Sequence, residues 1–221
     1  MKIILIIAVA CLTLLATNAR AAQGGSTHYI SGQTTDFSGM APTQPGWYFA
    51  NYVMNYNDAN YSKELQFGSR VLGFGVTANA TAEVPTVVYA FPMDFFNGTL
   101  SSGVSVPFQW LTIEAKATFS TPNNQISGSR KQSVSGLGDI ELMPLMAAWT
   151  NGDFSFNGMF NVWAPTGSYD QNDLANLGLG YWTFEPMVAA SWISSKIGTE
   201  VTLFAALNFN TVGRPPRYEL H

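Results

Sequence analysis

The chain has 221 residues, of which 11% are charged and 14% aromatic, and its formal net charge is −4. An acidic balance argues against nucleic-acid partners, and so few charges, against the ~25% usual in soluble domains, argue against an ordinary water-exposed globule. The single cysteine, Cys11, falls inside the N-terminal apolar run and leaves the remainder without disulfide or thiolate chemistry.

Lys2, the apolar run Ile3 to Ala16 and the small residues of Ala19-Arg20-Ala21 predict a signal peptide over 1–21, cleaved before Ala22. A lipobox reading of Cys11 fails because apolar residues continue past it to Ala16. Cleavage leaves 221 − 21 = 200 residues with 8 basic and 14 acidic side chains, a net of −6. Residues 22–45 are polar and rich in Gly, Ser and Thr, and read as an extended segment, either a plug or a periplasmic lead-in. Strand-like sequence then occupies 46–209, and 210–221 is an irregular tail.

Gly46 to Tyr56 is the first strand, and Asn57 to Gln66 reads as a turn or loop. A second strand is expected over Phe67 to Ala82 and a third over Glu83 to Met93, with Val87, Tyr89 and Phe91 on one face. Asn97-Gly98 marks a tight turn. Val104 to Phe119 is strand-like, with Pro107 at a bulge or strand start, and Ser120 to Ser135 reads as an exposed loop.

Asp139 to Phe209 carries the strongest pattern, two long hairpins. One face of the first is expected to hold Ile140, Leu142, Pro144, Met146 and Ala148, opposite Phe154, Phe156, Gly158, Phe160 and Val162. Trp182, Phe184, Pro186, Val188, Ala190 and Trp192 continue it, as do Val201, Leu203, Ala205, Leu207 and Phe209. Period-two alternation puts each run on one side of a sheet. Runs of about ten residues suit a tilted strand crossing a bilayer, where strands of soluble domains usually stop at ~5–6. Asn151-Gly152 is the turn of the first hairpin, and Thr166 to Gly180 is a longer polar loop. Trp149, Trp163, Trp182 and Trp192 sit near strand ends, either as an aromatic girdle or as core filling.

These features predict an all-β, antiparallel up-and-down transmembrane barrel in the outer membrane, since a closed barrel satisfies its backbone without a spanning helix. Arg214-Pro215-Pro216-Arg217 cannot be a strand, and only eight or nine strand candidates precede it. The expectation is therefore a barrel truncated at its C-terminus, or one whose middle hides further strands. The lipid bilayer and the outer-membrane insertion machinery are the expected partners.

The residues on the opposite strand faces define the candidate lumen: Asp139, Glu141, Met143, Leu145 and Trp149; Asn157, Met159 and Asn161; Glu185 and Met187; Glu200 and Thr202. Met and aromatic side chains among amides and hydroxyls suit a weakly polar, aromatic solute. The competing reading is a narrow barrel packed solid with side chains. A soluble periplasmic β-sandwich that binds a ligand is a further alternative, though its turn signals would recur every ~8–12 residues.

Enzymatic readings find little support. His28 and His221 both lie outside the strands, so no Ser-His-acid set can be placed on them, and transition metals lack their usual Cys and His ligands. Asp139 and Glu141 could form a coupled carboxylate pair but more often would line a wet lumen or strand end. Asp170 and Asp173 are too few for a divalent-cation site. No catalytic residue, cofactor or metal is expected.

Two blocks of sequence carry a family resemblance. The first is His28-Tyr29, Gly32, Asp36-Phe37, Pro45-Gly46-Trp47-Tyr48 and Asn51. The second is Gly136-Leu137-Gly138-Asp139-Ile140, Pro144, Trp149, Gly152, Pro165-Thr166-Gly167, Tyr169, Asn176, Gly178, Trp182 and Pro186. Together they resemble the bacterial outer-membrane proteins named for the meta pathway of phenol degradation. That resemblance implies an outer-membrane barrel that takes up aromatic or other hydrophobic compounds, with no catalytic residues to transfer. The sequence departs from the family pattern after Asn210, where further strands would be expected.

Overall fold

A computed structural model describes His28, residues 41–194 and residues 196–211. The expected signal peptide, most of the 22–45 segment and nearly all of the 210–221 tail lie outside the described residues. Contacts divide the chain into Met1–Ile30 and Ser31–His221, and His28 apart, the described residues belong to the second.

The described residues contain ten strands and no helix: β1 (Gly46–Phe67), β2 (Arg70–Asp94), β3 (Thr99–Ser105), β4 (Phe108–Thr121), β5 (Asn124–Leu137), β6 (Ile140–Asn151), β7 (Phe154–Ala164), β8 (Thr183–Ser194), β9 (Thr199–Ala206) and β10 (Phe209–Asn210). All join one antiparallel sheet. The pairings reduce it to a plain meander. β3 and β4 lie end to end along β2, which pairs its residues 86–94 with β3 and 71–83 with β4. β5 and β6 lie end to end along β4 and β3, and β9 and β10 lie end to end along β8. The ten strands thus form seven rows: β1, β2, β3–β4, β5–β6, β7, β8 and β9–β10. The sheet curls strongly into an open half-barrel. Among the described residues no pairing joins β1 to β9 or β10. An odd number of antiparallel rows leaves these two edges running in the same direction, so an antiparallel closure needs a further row between them.

The expected hairpin around Gly152 is present almost as read, with Asn151 opposite Phe154 and Gly152 at φ 60°, a left-handed conformation that glycine adopts without penalty. The turn after β2 differs in detail: Phe96 and Asn97 take the positive φ values, 52° and 61°, and Phe95 and Gly98 exchange backbone hydrogen bonds. Gly98 is required for a separate reason. A Cβ there would meet the Ala148 carbonyl and the Trp149 ring at 2.5 Å.

Three expectations are corrected. Asn57–Gln66 is not a loop but the upper half of β1, kinked by a bulge between Tyr56 and Ala59 with Asp58 at φ 52°. The two strands expected over 67–93 are one strand of 25 residues. Ser120–Ser135 is not a loop but the end of β4 and most of β5, closed by a turn at Pro122-Asn123 and fully laddered to β4. Strands with water on both sides need no apolar alternation, so the pattern used to find strands is silent there. Pro107 does precede a strand, β4, as expected.

A fourth correction concerns side-chain direction. Between Leu142 and Leu145 the β6 register slips, so that Met143 and Pro144 together face Asn161 of β7. Such a bulge reverses the alternation beyond it. Pro144, which cannot donate to the ladder, sits at the slip, and its carbonyl accepts from Ser102 Oγ at 2.7 Å. As a result Met146 and Ala148, expected on the apolar side, are buried on the concave side, while Leu145 is exposed on the convex side. Trp149 sits opposite convex Phe156.

Candidate functional site

The concave side of the sheet is the candidate site, and it is built in rungs. One rung runs from Ala50 through Thr86, Ser105, Glu141, Trp163 and Thr183 to Asn210, each opposite the next in the ladder. Thr86 Oγ1 donates to Ser105 Oγ at 2.9 Å, Ser105 hydrogen-bonds Glu141, and Thr183 Oγ1 donates to Asn210 Oδ1 at 2.8 Å. Just below, Asn161 Nδ2 donates to Glu185 Oε1 at 3.3 Å in a buried contact. At the next level Met146 faces Met159, which faces Met187. Lower still lie buried Asn157 and buried Ser191, which contacts Thr202 at 3.0 Å, and Thr202 donates to Glu200 Oε1 at 2.9 Å.

A cavity of about 510 Å³ opens on this side, lined by Tyr48, Ala50 and Tyr52 of β1, Thr86 and Val88 of β2, Met143 and Met146 of β6, Met159 of β7 and Glu200 of β9. Both open edges of the sheet therefore bound one space. Ala41, Pro42 and Thr43 enter it from the N-terminal side. Ala41 is buried in a cluster with Met143, Met146 and Ala148, so the chain leading into β1 partly fills the concave side.

Of the expected lumen residues, Glu141, Met143, Asn157, Met159, Asn161, Glu185, Glu200 and Thr202 share the concave side. Asp139 does not. It sits between β5 and β6, 5% exposed, and its two oxygens accept from the backbone N–H groups of Gly167 (2.9 Å) and Leu179 (2.8 Å). Asp139 is the staple of the 165–182 loop. Thr166 Oγ1 accepts from Ile140 N and donates to Gly138 O, and Gln132 Oε1 accepts from Leu174 N at 2.7 Å. A Cβ on Gly178 would collide with the Asp139 carboxylate. Burial first, then Asp139 and Tyr169, pushes the hydroxyl of Tyr181 in this loop above its ordinary value.

Sequence reasoning missed Thr86, Ser101, Ser105 and Met146. The first three alternate with the apolar residues of β2 and β3, so the parity that marked Val87, Tyr89 and Phe91 could have found Thr86. Nothing in composition reveals Met146, because a bulge places it. Among the tryptophans, Trp163 is buried on the concave side, whereas Trp149, Trp182 and Trp192 stay near strand ends without filling that side. Among the described residues no group of His, Cys, Asp and Glu could hold a metal ion, and no helix is long and apolar enough to cross a membrane.

Residues 61–219 match the family described as "Putative MetA-pathway of phenol degradation", a span that runs from the upper half of β1 past β10 and leaves out the first of the two resembling sequence blocks. No curated protein and no solved structure matches the chain. The match covers well over half of the sequence, and the chain belongs to this phenol-degradation family.

Proposed function

We propose that the chain forms the wall of an outer-membrane β-barrel and gives passive passage to small hydrophobic or aromatic compounds, phenol-like molecules among them. One observation carries the reading: large apolar side chains crowd the convex side while polar groups and thioethers line the concave side. Leu203 is 75% exposed, and Phe154, Phe156, Val188 and Val201 are exposed beside it. So large an apolar surface is not stable against water, and lipid is the medium that suits it. The concave cavity is within the size range of small-molecule sites, and its methionines can pack against an aromatic ring. A single curled sheet with no second sheet facing it among the described residues does not suit a soluble sandwich.

The outer-membrane address follows from the expected signal peptide and lipid-facing strands, and the insertion machinery of that membrane is the implied partner. No step of chemistry is assigned to the chain. Reconstitution into liposomes tests the passage. Phenol is expected to equilibrate faster across vesicles holding folded protein than across protein-free vesicles. Equal rates would leave a filled structural barrel, and a mature product that stays dispersed without detergent would remove the membrane reading itself.

A further inference from the structure

Four methionines meet on one side of three adjacent strands: Met143 and Met146 of β6, Met159 of β7 and Met187 of β8. Met146 lies directly opposite Met159, and Met159 directly opposite Met187. Met143 and Met146 are buried in one cluster with Met159 packed against it, and these three line the open cavity. In a regular strand, residues three apart point to opposite sides. Here the bulge at Pro144 turns both Met143 and Met146 inward. Simple packing would be served by any apolar residue of similar size, and it does not explain why the thioethers gather where a cavity gives access to them.

We propose that this cluster is a site for a soft monovalent cation of the copper(I) or silver(I) type, held by the sulfur atoms of Met143, Met146 and Met159, with Met187 next to them. Thioethers are soft donors that select such ions and bind hard divalent cations poorly. They carry no charge, so a single positive charge is the most the cage can hold cheaply, and Glu200 lines the same cavity. Glu141 and Glu185 lie above on the same side. The described residues offer no competing group of His, Cys, Asp and Glu, and the only cysteine of the sequence is Cys11. The site does not depend on the passage of phenols: a barrel that passes nothing would bind the ion equally.

The test uses the mature full chain folded in detergent, dialysed against silver(I) in chloride-free buffer, with bound metal measured by mass spectrometry. The wild type is expected to retain one silver ion per chain after desalting. The variant M143L/M146L/M159L is expected to lose binding by tenfold or more, and M93L, which changes a methionine away from the cluster, to retain it. Leucine conserves volume closely enough to keep the fold, and circular dichroism together with the heat-dependent shift in gel mobility checks that it does. X-ray absorption of the copper(I) form is expected to report sulfur neighbours. A wild type that retains no silver, a folded triple variant that binds as well as wild type, or a copper shell of nitrogen and oxygen alone would each overturn the proposal.

Discussion

The lower and upper parts of this sheet share the rows of β1, β2, β3–β4 and β5–β6, yet their convex sides differ in chemistry. On β2 the convex side carries Phe91, Tyr89, Val87 and Pro85 below, then Glu83, Thr81, Asn79 and Thr77 above. The concave side of β2 shows no such change: Ala90, Val88 and Thr86 give way to Ala82, Ala80, Ala78 and Val76. The neighbouring row agrees. Thr112, Glu114, Lys116 and Thr118 share the upper convex side, while Leu111, Ile113, Ala115 and Ala117 share the other. Trp47 and Tyr89, with ring centroids 4.7 Å apart, belong to the lower band, and Trp110 stands beside Thr81 at the border. From Pro85 to Met93 the apolar band is about 30 Å long at 3.3 Å per residue, close to the thickness of a bilayer's hydrocarbon core. Above it, β5 alone adds about 45 Å. What changes along β2 is the chemistry of its convex side, apolar below Glu83 and polar above it, as a change from lipid to water under the proposed function would require.

The sharpest way to break that comparison is to place the same charge in each region. Leu203→Arg puts a guanidinium on the convex side of β9, where lipid would have to accommodate it. The expected cost is about 2–4 kcal/mol. Ser129→Arg, on the exposed convex side of β5 beside Lys116, should change stability by no more than about 0.5 kcal/mol. Urea titration of the protein folded in lipid vesicles measures both. Equal effects at the two positions would mean that both regions meet the same solvent, and the boundary at Glu83 would lose its meaning.

The same boundary explains what could be read from the residues alone. β6, β7 and β8 are legible within two or three residues because large apolar side chains on one side and polar ones on the other alternate along them. β5, with Ser127, Ser129, Ser133 and Ser135 on one side and Gly128, Arg130 and Gln132 on the other, has no such constraint and resembled a loop. Its strand character comes from β4, which pairs with it residue by residue from Phe108–Leu137 to Thr121–Asn124. Most of the candidate site followed from the alternation too. What it does not give has two separate causes. Pro144 hides a one-residue slip that turns Met146 inward, and the loop amides that Asp139 meets are not legible because a lone Asp at a strand start does not reveal its partners. The family resemblance, in turn, was legible in the Gly136 to Pro186 block, and the structure gives that block a physical meaning: Gly138, Asp139, Thr166, Gly167 and Gly178 are the parts of one loop staple.

That staple sits where the long rows and the short rows part, so it sharpens the comparison at its hinge. Asp139→Asn keeps the shape of the side chain but exchanges one acceptor oxygen for an N–H donor, which would then face the N–H of Gly167 or Leu179. The expected loss is about 1.5–3 kcal/mol, the range for hydrogen bonds to a charged acceptor. It should be local. Hydrogen exchange at neutral pH is expected to show protected amides at Gly167 and Leu179 in the wild type and fast exchange in the variant, with β6 and β7 unchanged. Protection that survives the substitution would mean that Thr166 and Gln132 hold the loop without the carboxylate.

The smallest effect belongs to Tyr181, at the foot of the same loop. Its hydroxyl is held above the ordinary value of 10, first by burial and then by Asp139 and Tyr169. A raised pKa means that the folded chain favours the neutral phenol more than the unfolded chain does. This contribution to stability is therefore complete below pH 10 and is lost as the pH rises from there through the folded-state value. The near-ultraviolet phenolate absorbance of the wild type minus that of Tyr181→Phe should titrate above pH 10, and urea titrations of the two proteins should diverge only in that alkaline range. A difference spectrum that titrates below pH 10 would mean that Tyr181 is in contact with water, and that the loop lies open above the concave side instead of closed against Asp139.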